Sequence, residues 1–401
     1  MRGPLAVFAQ RSRTIICREG LYYFVLTAFV FAGAMLGDVN LLMLLGGMLV
    51  GPIWLSYRLV SKTLRGLQVE RHLPHGVCAG DLLVVKVELA NSRKRLGSWA
   101  VTVEEEIRRV GDGRRGEVLR PAAFFSYVPA RQTRQRTYRG RIPRRGRYQF
   151  AVPTVSTRFP FGLLRRTIRI GNPDVLVVYP RLGQLTQHWM TRHREWFEGA
   201  HRREHRYGRV SGDFYGVRPW RTGDSLRHIH WRSSARHGSL VVRQFEQHRN
   251  RDLAVLLNVW QPANPTPADQ ENVELAVSFA ATVVADVCRR GGSTLYVSSG
   301  PKAGEEIRGP ASALLMQSVM EQLAEVEAFT EDLLPGLLRR AMSAVEPGTE
   351  IVLVTTRAID LAAAQRLATV EAGAQRRPSP PRIRVVNTAE TNLNDYFELG
   401  D

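Results

Sequence analysis

Residues 20–36 read GLYYFVLTAFVFAGAML and residues 41–57 read LLMLLGGMLVGPIWLSY, two runs without a charged side chain. A bilayer core asks for about 17–25 apolar residues per spanning helix, and each run meets the lower end of that range. Only Gly37-Asp38-Val39-Asn40 separates them, so the pattern predicts a transmembrane helical hairpin. Tyr22, Tyr23, Trp54 and Tyr57 fall near the run ends, where amphipathic rings sit at the membrane–water interface. Two other readings compete. One is a buried helix pair in a soluble core; the other is a cleaved signal peptide, with Ala32-Gly33-Ala34 as its cleavage site. A second apolar run following almost at once argues against both.

The flanks give an orientation. Arg2, Arg11, Arg13 and Arg18 precede the first run, Arg58, Lys62, Arg65 and Arg71 follow the second, and the intervening turn holds only Asp38. Basic residues stay on the cytoplasmic side. The expectation is a two-pass protein of the cell's inner (plasma) membrane, with both termini and everything beyond about residue 58 cytoplasmic.

Working outward, the chain has 401 residues, and 56 Lys+Arg stand against 37 Asp+Glu for a formal net charge of +19. All but Lys62, Lys86, Lys94 and Lys302 of those basic residues are arginine. Such a surplus points to an acidic partner or an anionic surface. Hydrophobic content of 44% and charged content of 23% are those of ordinary globular domains, which excludes a disordered, collagen-like or disulfide-scaffold chain. Cys17, Cys78 and Cys288 are far apart and odd in number, so they give neither a disulfide framework nor a metal motif.

From residue 67 to 180 the pattern is that of short strands. Leu82–Leu89 is rich in β-formers. Trp99–Ile107 alternates except at Glu105. Gln135–Arg141 and Tyr148–Val155 flank a Pro143–Gly146 turn, as a hairpin would, and Val175–Tyr179 is a further strand. Several short strands without a long amphipathic helix predict a β-sandwich-like domain of immunoglobulin type. Residues 181–250 form a connecting segment that holds His188, His193, His201, His205, His228, His230, His237 and His248. From 251 to 401 strands (253–259, 293–298, 351–355, 383–386) alternate with helices (271–290, 313–326, 333–345, 361–372), predicting an α/β domain with a mainly parallel sheet. With a hairpin over residues 1–66, the whole is an α+β multidomain chain.

The most distinctive stretch is 211–247, SGDFYGVRPWRTGDSLRHIHWRSSARHGSLVVRQFEQ. Gly223-Asp224 reads as a turn. Asp224 is placed to cap a helix from Ser225, with Leu226, Ile229 and Ser233 on one face, Arg236 and His237 in the last turn and Gly238 as its stop. Leu240–Phe245 then reads as a strand. Arg218, Arg227, Arg232, Arg236 and Arg243 stand beside Asp213, Asp224 and Glu246. Guanidinium forks pair with carboxylates, so a knot of ion pairs is expected, with Trp220 and Trp231 as faces for arginine stacking.

This stretch resembles the signature of the domain of unknown function 58 family. The matching positions are Gly223, Asp224, Arg227, Ile229, Trp231, Arg232, Ala235 and Arg236, with Glu246 downstream and Arg218-Pro219-Trp220 upstream. Pro160–Leu163, Val178–Arg181 and the N-terminal hairpin resemble family features as well. His230 stands where the family has Asp or Asn, and Asp213 where it has Glu. The resemblance implies a C-terminal domain like von Willebrand factor type A. Many such domains hold a divalent cation through Asp-x-Ser-x-Ser after the first strand; here Asn258 stands near the Asp, no Ser-x-Ser follows, and the later strand ends Val354-Thr355-Thr356-Arg357. Hard cations need several oxygen ligands, so neither metal nor cofactor is expected. The resemblance also implies a partner, a MoxR-type AAA+ ATPase, with other membrane proteins of the same system.

No G-x-S-x-G elbow, H-E-x-x-H or P-loop occurs. Carboxylates among arginines titrate low and pair. Asp213, Arg218, Trp220, Gly223, Asp224, Arg227, Trp231, Arg232, Arg236 and Glu246 are therefore read as partner-binding or ion-pairing rather than catalytic. The competing reading is a membrane-bound hydrolase using Asp213, Asp224 or Glu246. His201 and His205 would share a helix face near Glu198, and His228 and His230 a strand face, but surface histidines are the simpler reading. Arg131, Arg134, Arg136, Arg139, Arg141, Arg144, Arg145 and Arg147 crowd one stretch. On a hairpin, alternation would put many on one face, toward anionic lipid. No nucleic-acid module is present, so no nucleic-acid partner is expected.

Overall fold

In a computed structural model the chain forms two compact units, residues 1–179 and 180–401. The structure describes residues 12–37, 40–111, 116–191, 213–222, 224–246, 252–300, 306–346, 349–363, 382–390, 393 and 395–399.

The first unit opens with a short strand, β1 (Arg13–Ile16), and two helices, α1 (Arg18–Leu36) and α2 (Asn40–Thr63). At 1.5 Å per residue these are roughly 29 and 36 Å long, and both are long and apolar enough to cross a membrane. Only 17% and 11% of their most apolar stretches are buried, which does not fit a helix pair inside a soluble core. Small residues are buried on both: Thr27 and Ala34, seven apart on α1, and Gly46 on α2, which lies against the ring of Phe31 from α1. The Tyr23 hydroxyl donates across the pair to the Leu49 carbonyl at 3.1 Å. Small interfacial residues and interhelical hydrogen bonds are how helices associate where no water drives them together.

Twelve strands follow: β2 (Leu67–His72), β3 (Val77–Cys78), β4 (Leu82–Asn91), β5 (Ser98–Glu104), β6 (Ile107–Arg109), β7 (Val118–Leu119), β8 (Ala122–Val128), β9 (Thr133–Arg141), β10 (Gly146–Phe150), β11 (Thr154–Thr157), β12 (Leu164–Arg169) and β13 (Asp174–Tyr179). They make three sheets, ordered β1-β12-β11-β5-β8, β3-β13-β10-β6-β7 and β2-β4-β9. On β4 the odd residues Leu83, Val85, Val87 and Leu89 face inward, the period of two that a half-buried strand requires. They join Val101, Val103, Phe125, Phe150, Val155, Leu176 and Val178, contributed by all three sheets, in one core.

Two sequence expectations need correction here. Trp99–Ile107 is not one strand. β5 and β6 lie in different sheets, and the chain changes sheet at Glu105, which is buried where the alternation fails. Nor do Gln135–Arg141 and Tyr148–Val155 form a hairpin. β9 pairs with β4, whereas β10 pairs with β13 and β6, because the linker buries Ile142 in the core as it crosses between sheets.

In the second unit the α/β sheet is built from β17 (Leu253–Asn258), β18 (Thr294–Ser298), β19 (Glu306–Pro310), β20 (Glu350–Thr355) and β21 (Arg382–Asn387), in the order β19-β18-β17-β20-β21. Every pair is parallel except β18–β19. The edge strand β19, which the sequence reading missed, alternates partly buried and exposed residues. β17 and β20 are buried at all six positions, as parallel strands covered on both faces must be. The helix Pro267–Arg290 begins at a capping box: Thr266 Oγ1 accepts from the Asp269 amide at 3.2 Å, and the Asp269 carboxylate accepts from the Thr266 amide at 2.9 Å. Gly291 ends it at φ 67°. Helices Ala313–Glu325 and Leu334–Ala344 complete the domain; of the helix expected over 361–372, only 361–363 lie within the described residues.

The expected connecting segment starts on this domain. β14 (Gly183–Leu185) pairs with β22 (Phe397–Leu399), and the Trp189 ring packs edge-on to Phe279 at 5.3 Å. His193, His201, His205, His248 and Glu198 lie outside the described residues.

Candidate functional site

The signature folds as a hairpin wrapped around a short helix. β15 (Asp213–Pro219) pairs antiparallel with β16 (Val241–Glu246), which sets Asp213 opposite Glu246; the side chains of those two residues lie outside what is described. Gly223 is likewise outside the described residues. Between the strands runs a 3-10 turn, Leu226–His228, then helix α3 (Trp231–His237).

The expected continuous helix from Ser225 is thus broken, and the cause is Ile229. It is buried, adopts an extended backbone at φ −64° and ψ 128°, and bridges to Val242. His230 follows it back to the sheet, its amide donating to the Val241 carbonyl at 2.8 Å. Its Nδ1 accepts from the Ser233 amide at 3.2 Å, and this side chain caps α3. Asp and Asn are the favoured N-caps, which explains why an imidazole here stands in for them. Gly238 closes the helix at φ 65° as expected. Ser234 Oγ is buried and accepts from the Val241 amide at 2.9 Å, tying α3 to β16. His230→Asp is expected to raise stability by about 0.5–1 kcal/mol. That corresponds to about 1–4 °C in the thermal midpoint of a unit this size, readable by differential scanning fluorimetry.

Asp224 does not cap a helix. Its two oxygens accept from Arg218 Nη1 and Nη2, each at 2.7 Å, and one accepts from the Arg221 amide at 2.9 Å. The Arg218 fork first, and the Arg221 amide second, hold the Asp224 carboxyl down to about 2. A carboxylate whose folded pKa lies below its unfolded value stabilises the fold above the unfolded pKa and loses that contribution as pH falls. The fork is expected to be whole at neutral pH and to open between about pH 4 and 2, visible as Asp224 carboxyl shifts in an NMR titration.

Of the expected knot, then, the described residues close one pair, Arg218–Asp224. Arg227, Arg232, Arg236 and Arg243 are exposed, as are Leu226 at 68% and Trp231 at 67%. Trp220 is half-buried, with its indole Nε1 out of solvent and without a hydrogen-bond partner among the described residues. Among the described residues no guanidinium lies over Trp220 or Trp231. Among the described residues the guanidiniums of Arg58, Arg384 and Arg357 lie over Trp54, Trp189 and Trp260.

Open α/β sheets offer a ligand crevice at the carboxyl ends of the strands where the order reverses, here β17 and β20. That crevice is stitched by its own side chains. Thr356 Oγ1 donates to the Trp260 carbonyl at 2.6 Å and accepts from its amide at 2.8 Å. Asn272 Nδ2 donates to the Thr356 carbonyl at 2.9 Å. Arg357 pairs with Asp332 at 2.7 Å while lying over the Trp260 ring. Asn258 places its amide nitrogen 3.5 Å from Thr355 Oγ1.

A grouping the sequence reading missed is Glu70, His72 and Glu88 on β2 and β4, whose ligand atoms lie within 4.8 Å of one another. Alternation on β2 puts Glu70 and His72 on one face, but the strand partners were not legible. His72 Nε2 is 3.5 Å from Glu88 Oε1, and Lys86 faces His72 across the ladder, a charge that disfavours a cation. The basic run also differs from expectation. β9 is an edge strand with Arg134 and Arg136 on one face and Arg139 and Arg141 on the other, which guards an open edge against further pairing.

A capped helix on a two-stranded ribbon, beside a mainly parallel sheet, defines a scaffold with a basic, aromatic outer surface. Residues 216–324 match the family model described as Protein of unknown function DUF58. It is similar to the Uncharacterized protein YeaD of Bacillus subtilis (strain 168), 26% identical over 160 residues. That match covers 40% of this chain and 37% of the relative. Among solved structures, the CARDB domain of a Pyrococcus furiosus protein is matched at 12% identity over 28% of this chain and 94% of that one, with a TM-score of 0.20. The superoxide reductase (neelaredoxin) of Ignicoccus hospitalis is matched at 12% identity over 28% of this chain and 80% of that one, with a TM-score of 0.19. Scores at this level carry no argument about fold or chemistry.

Proposed function

We propose that this protein is a non-enzymatic adaptor anchored in the inner membrane by α1 and α2, which presents its signature surface to a MoxR-type AAA+ ATPase during assembly of an envelope or membrane complex. The observation that carries the reading is the asymmetry of the signature. Its carboxylate Asp224 is consumed by Arg218, while Trp231, Leu226, Arg227, Arg232 and Arg236 stand outward. A general acid or base works best with a pKa near the working pH, and Asp224 at about 2 is far from it. Exposed Trp and Arg are the residue types that anchor protein interfaces. The ATPase as partner comes from the family resemblance alone, an argument by analogy.

The α/β domain is read as von Willebrand factor type A-like. Support comes from the sheet order, with its antiparallel edge strand β19, and from the crevice at β17 and β20, which side chains fill. Basic flanks on both helices support a cytoplasmic location for the termini.

The test is recovery of partners by the full-length chain after in vivo cross-linking and mild detergent extraction. An AAA+ ATPase is expected in the wild-type eluate and lost from Trp231→Ala/Arg232→Glu, a double variant at exposed positions that leaves folding intact. Recovery of no ATPase under either condition would overturn the reading.

A further inference from the structure

The end of the β domain that holds the two helices also carries a group of exposed aromatic side chains. The Cys17 amide, at the start of α1, donates to the Leu163 carbonyl at 2.9 Å. Gly20 lies so close that a Cβ there would sit 2.1 Å from the same oxygen. On α2, the Ser61 hydroxyl accepts from Arg166 Nη1 at 2.8 Å, and the Thr63 carbonyl accepts from Ser98 Oγ at 2.9 Å. Next to these ties stand Phe161, 52% exposed, and Trp99, 46% exposed. The Trp99 ring is 4.1 Å from that of Tyr127 and 5.9 Å from that of Phe159.

Depth follows from the helices. The apolar run of α1 begins at Gly20, the residue in contact with Leu163, so the 158–163 loop sits where the run begins. Thr63 is six residues past Tyr57, the last of the α2 run, or about 9 Å along the axis. The polar layer outside a bilayer's hydrocarbon core is about 5–8 Å deep on each side. Phe161 therefore falls at its inner boundary and Trp99 with Tyr127 at its outer one. Exposed Lys94, Arg95 and Arg158 flank the aromatics, suited to lipid phosphates. Rings with an apolar body and a polar handle settle at this level.

We propose that this end of the β domain is a second membrane-binding element, the 158–163 loop dipping into the headgroup boundary of the leaflet that both helices enter, with Trp99 and Tyr127 resting beside it. The element fixes the β domain flush against the lipid. It rests on the reading of α1 and α2 as a membrane anchor, and the experiment separates the two.

Full-length protein carrying Cys17→Ser, Cys78→Ser and Cys288→Ser is reconstituted in vesicles of phosphatidylcholine and phosphatidylglycerol. An environment-sensitive fluorophore is attached at Phe161→Cys, Phe29→Cys or Phe124→Cys, and lipids bear a nitroxide high or low on the acyl chain. The label at position 161 is expected to lose most of its emission to the high nitroxide and little to the low one. The label at 29, within α1, is expected to do the reverse, and the label at 124, farther along β8, to respond to neither. Quenching at 29 without quenching at 161 overturns the proposal and leaves the anchor standing. A blue-shifted but unquenched label at 161 means a protein occupant, such as a second copy, and overturns it too. An unquenched label at 29 overturns the anchor and the proposal together.

Discussion

Glu105→Ala is expected to destabilise the β domain by about 3–5 kcal/mol, the cost of removing one partner of a buried ion pair and leaving the Arg71 guanidinium with the exposed Asp174 as its remaining counter-charge. Arg71 and Glu105 are 2% and 1% exposed, with Arg71 Nε donating to Glu105 Oε1 at 2.8 Å. Arg71 also donates to Asp174 Oδ2 at 2.9 Å and to the Ala151 carbonyl at 3.0 Å, and it lies over the Phe150 ring. The Tyr138 hydroxyl donates to the second Glu105 oxygen; burial first, and the Glu105 charge second, push that phenol well above its ordinary value. One carboxylate thus joins β2 and β9 to the corner where the chain passes from β5 to β6. At about 2–4 °C per kcal/mol for a unit of this size, the midpoint should fall by about 6–20 °C, measured by circular dichroism of the detergent-solubilised chain. Glu104→Ala is the control. Its pair with Arg165 is 42% and 29% exposed, and such pairs contribute at most about 1 kcal/mol. Equal losses from the two variants would mean that the buried pair does not hold the sheets.

Glu105 also marks where sequence reading stops. As the one break in an alternating run, it was visible as an irregularity, but alternation reports which face a residue occupies and not which sheet the strand joins. The same limit explains the missing β9–β10 hairpin. Pro143–Gly146 is a competent turn, yet burial of Ile142 turns the chain to another sheet instead. Elements with strong local signals were legible: the apolar runs of α1 and α2, the buried strands β17 and β20, and Gly238. Within the signature the residues were found but their roles were not. Ile229 fits a helical face and a strand bridge equally well by pattern, and a tertiary contact with Val242 decides. Asp224 satisfies the rule for a helix cap, but a fork to Arg218 gives it two charge-assisted hydrogen bonds where a cap would give one.

Phe279→Ala is expected to cost the α/β unit about 3–5 kcal/mol, more than its place among alanines and valines on helix Pro267–Arg290 suggests. The ring is fully buried and meets two others edge-on, Trp189 at 5.3 Å and Phe397 at 5.7 Å, while Trp189 also meets Tyr396 at 6.0 Å. Edge-to-face pairs add about 0.5–1.5 kcal/mol each beyond burial. These contacts clamp two remote pieces of chain, residues 183–189 and 396–399, onto one helix face. Polar ties to the helix include the Gly183 amide, which donates to Thr282 Oγ1 at 3.0 Å, and Ser278 Oγ, which donates to the Arg181 carbonyl at 2.6 Å. With Phe279 gone, both pieces lose their common support at once. Limited proteolysis should then cut near residue 189 and near the C-terminal strand well before the parallel sheet unfolds, while Val283→Ala, buried on the same helix, should lower the midpoint without opening those sites. Simultaneous digestion of the sheet and the two segments in Phe279→Ala would instead mean that the segments fold as part of the sheet's own cooperative unit.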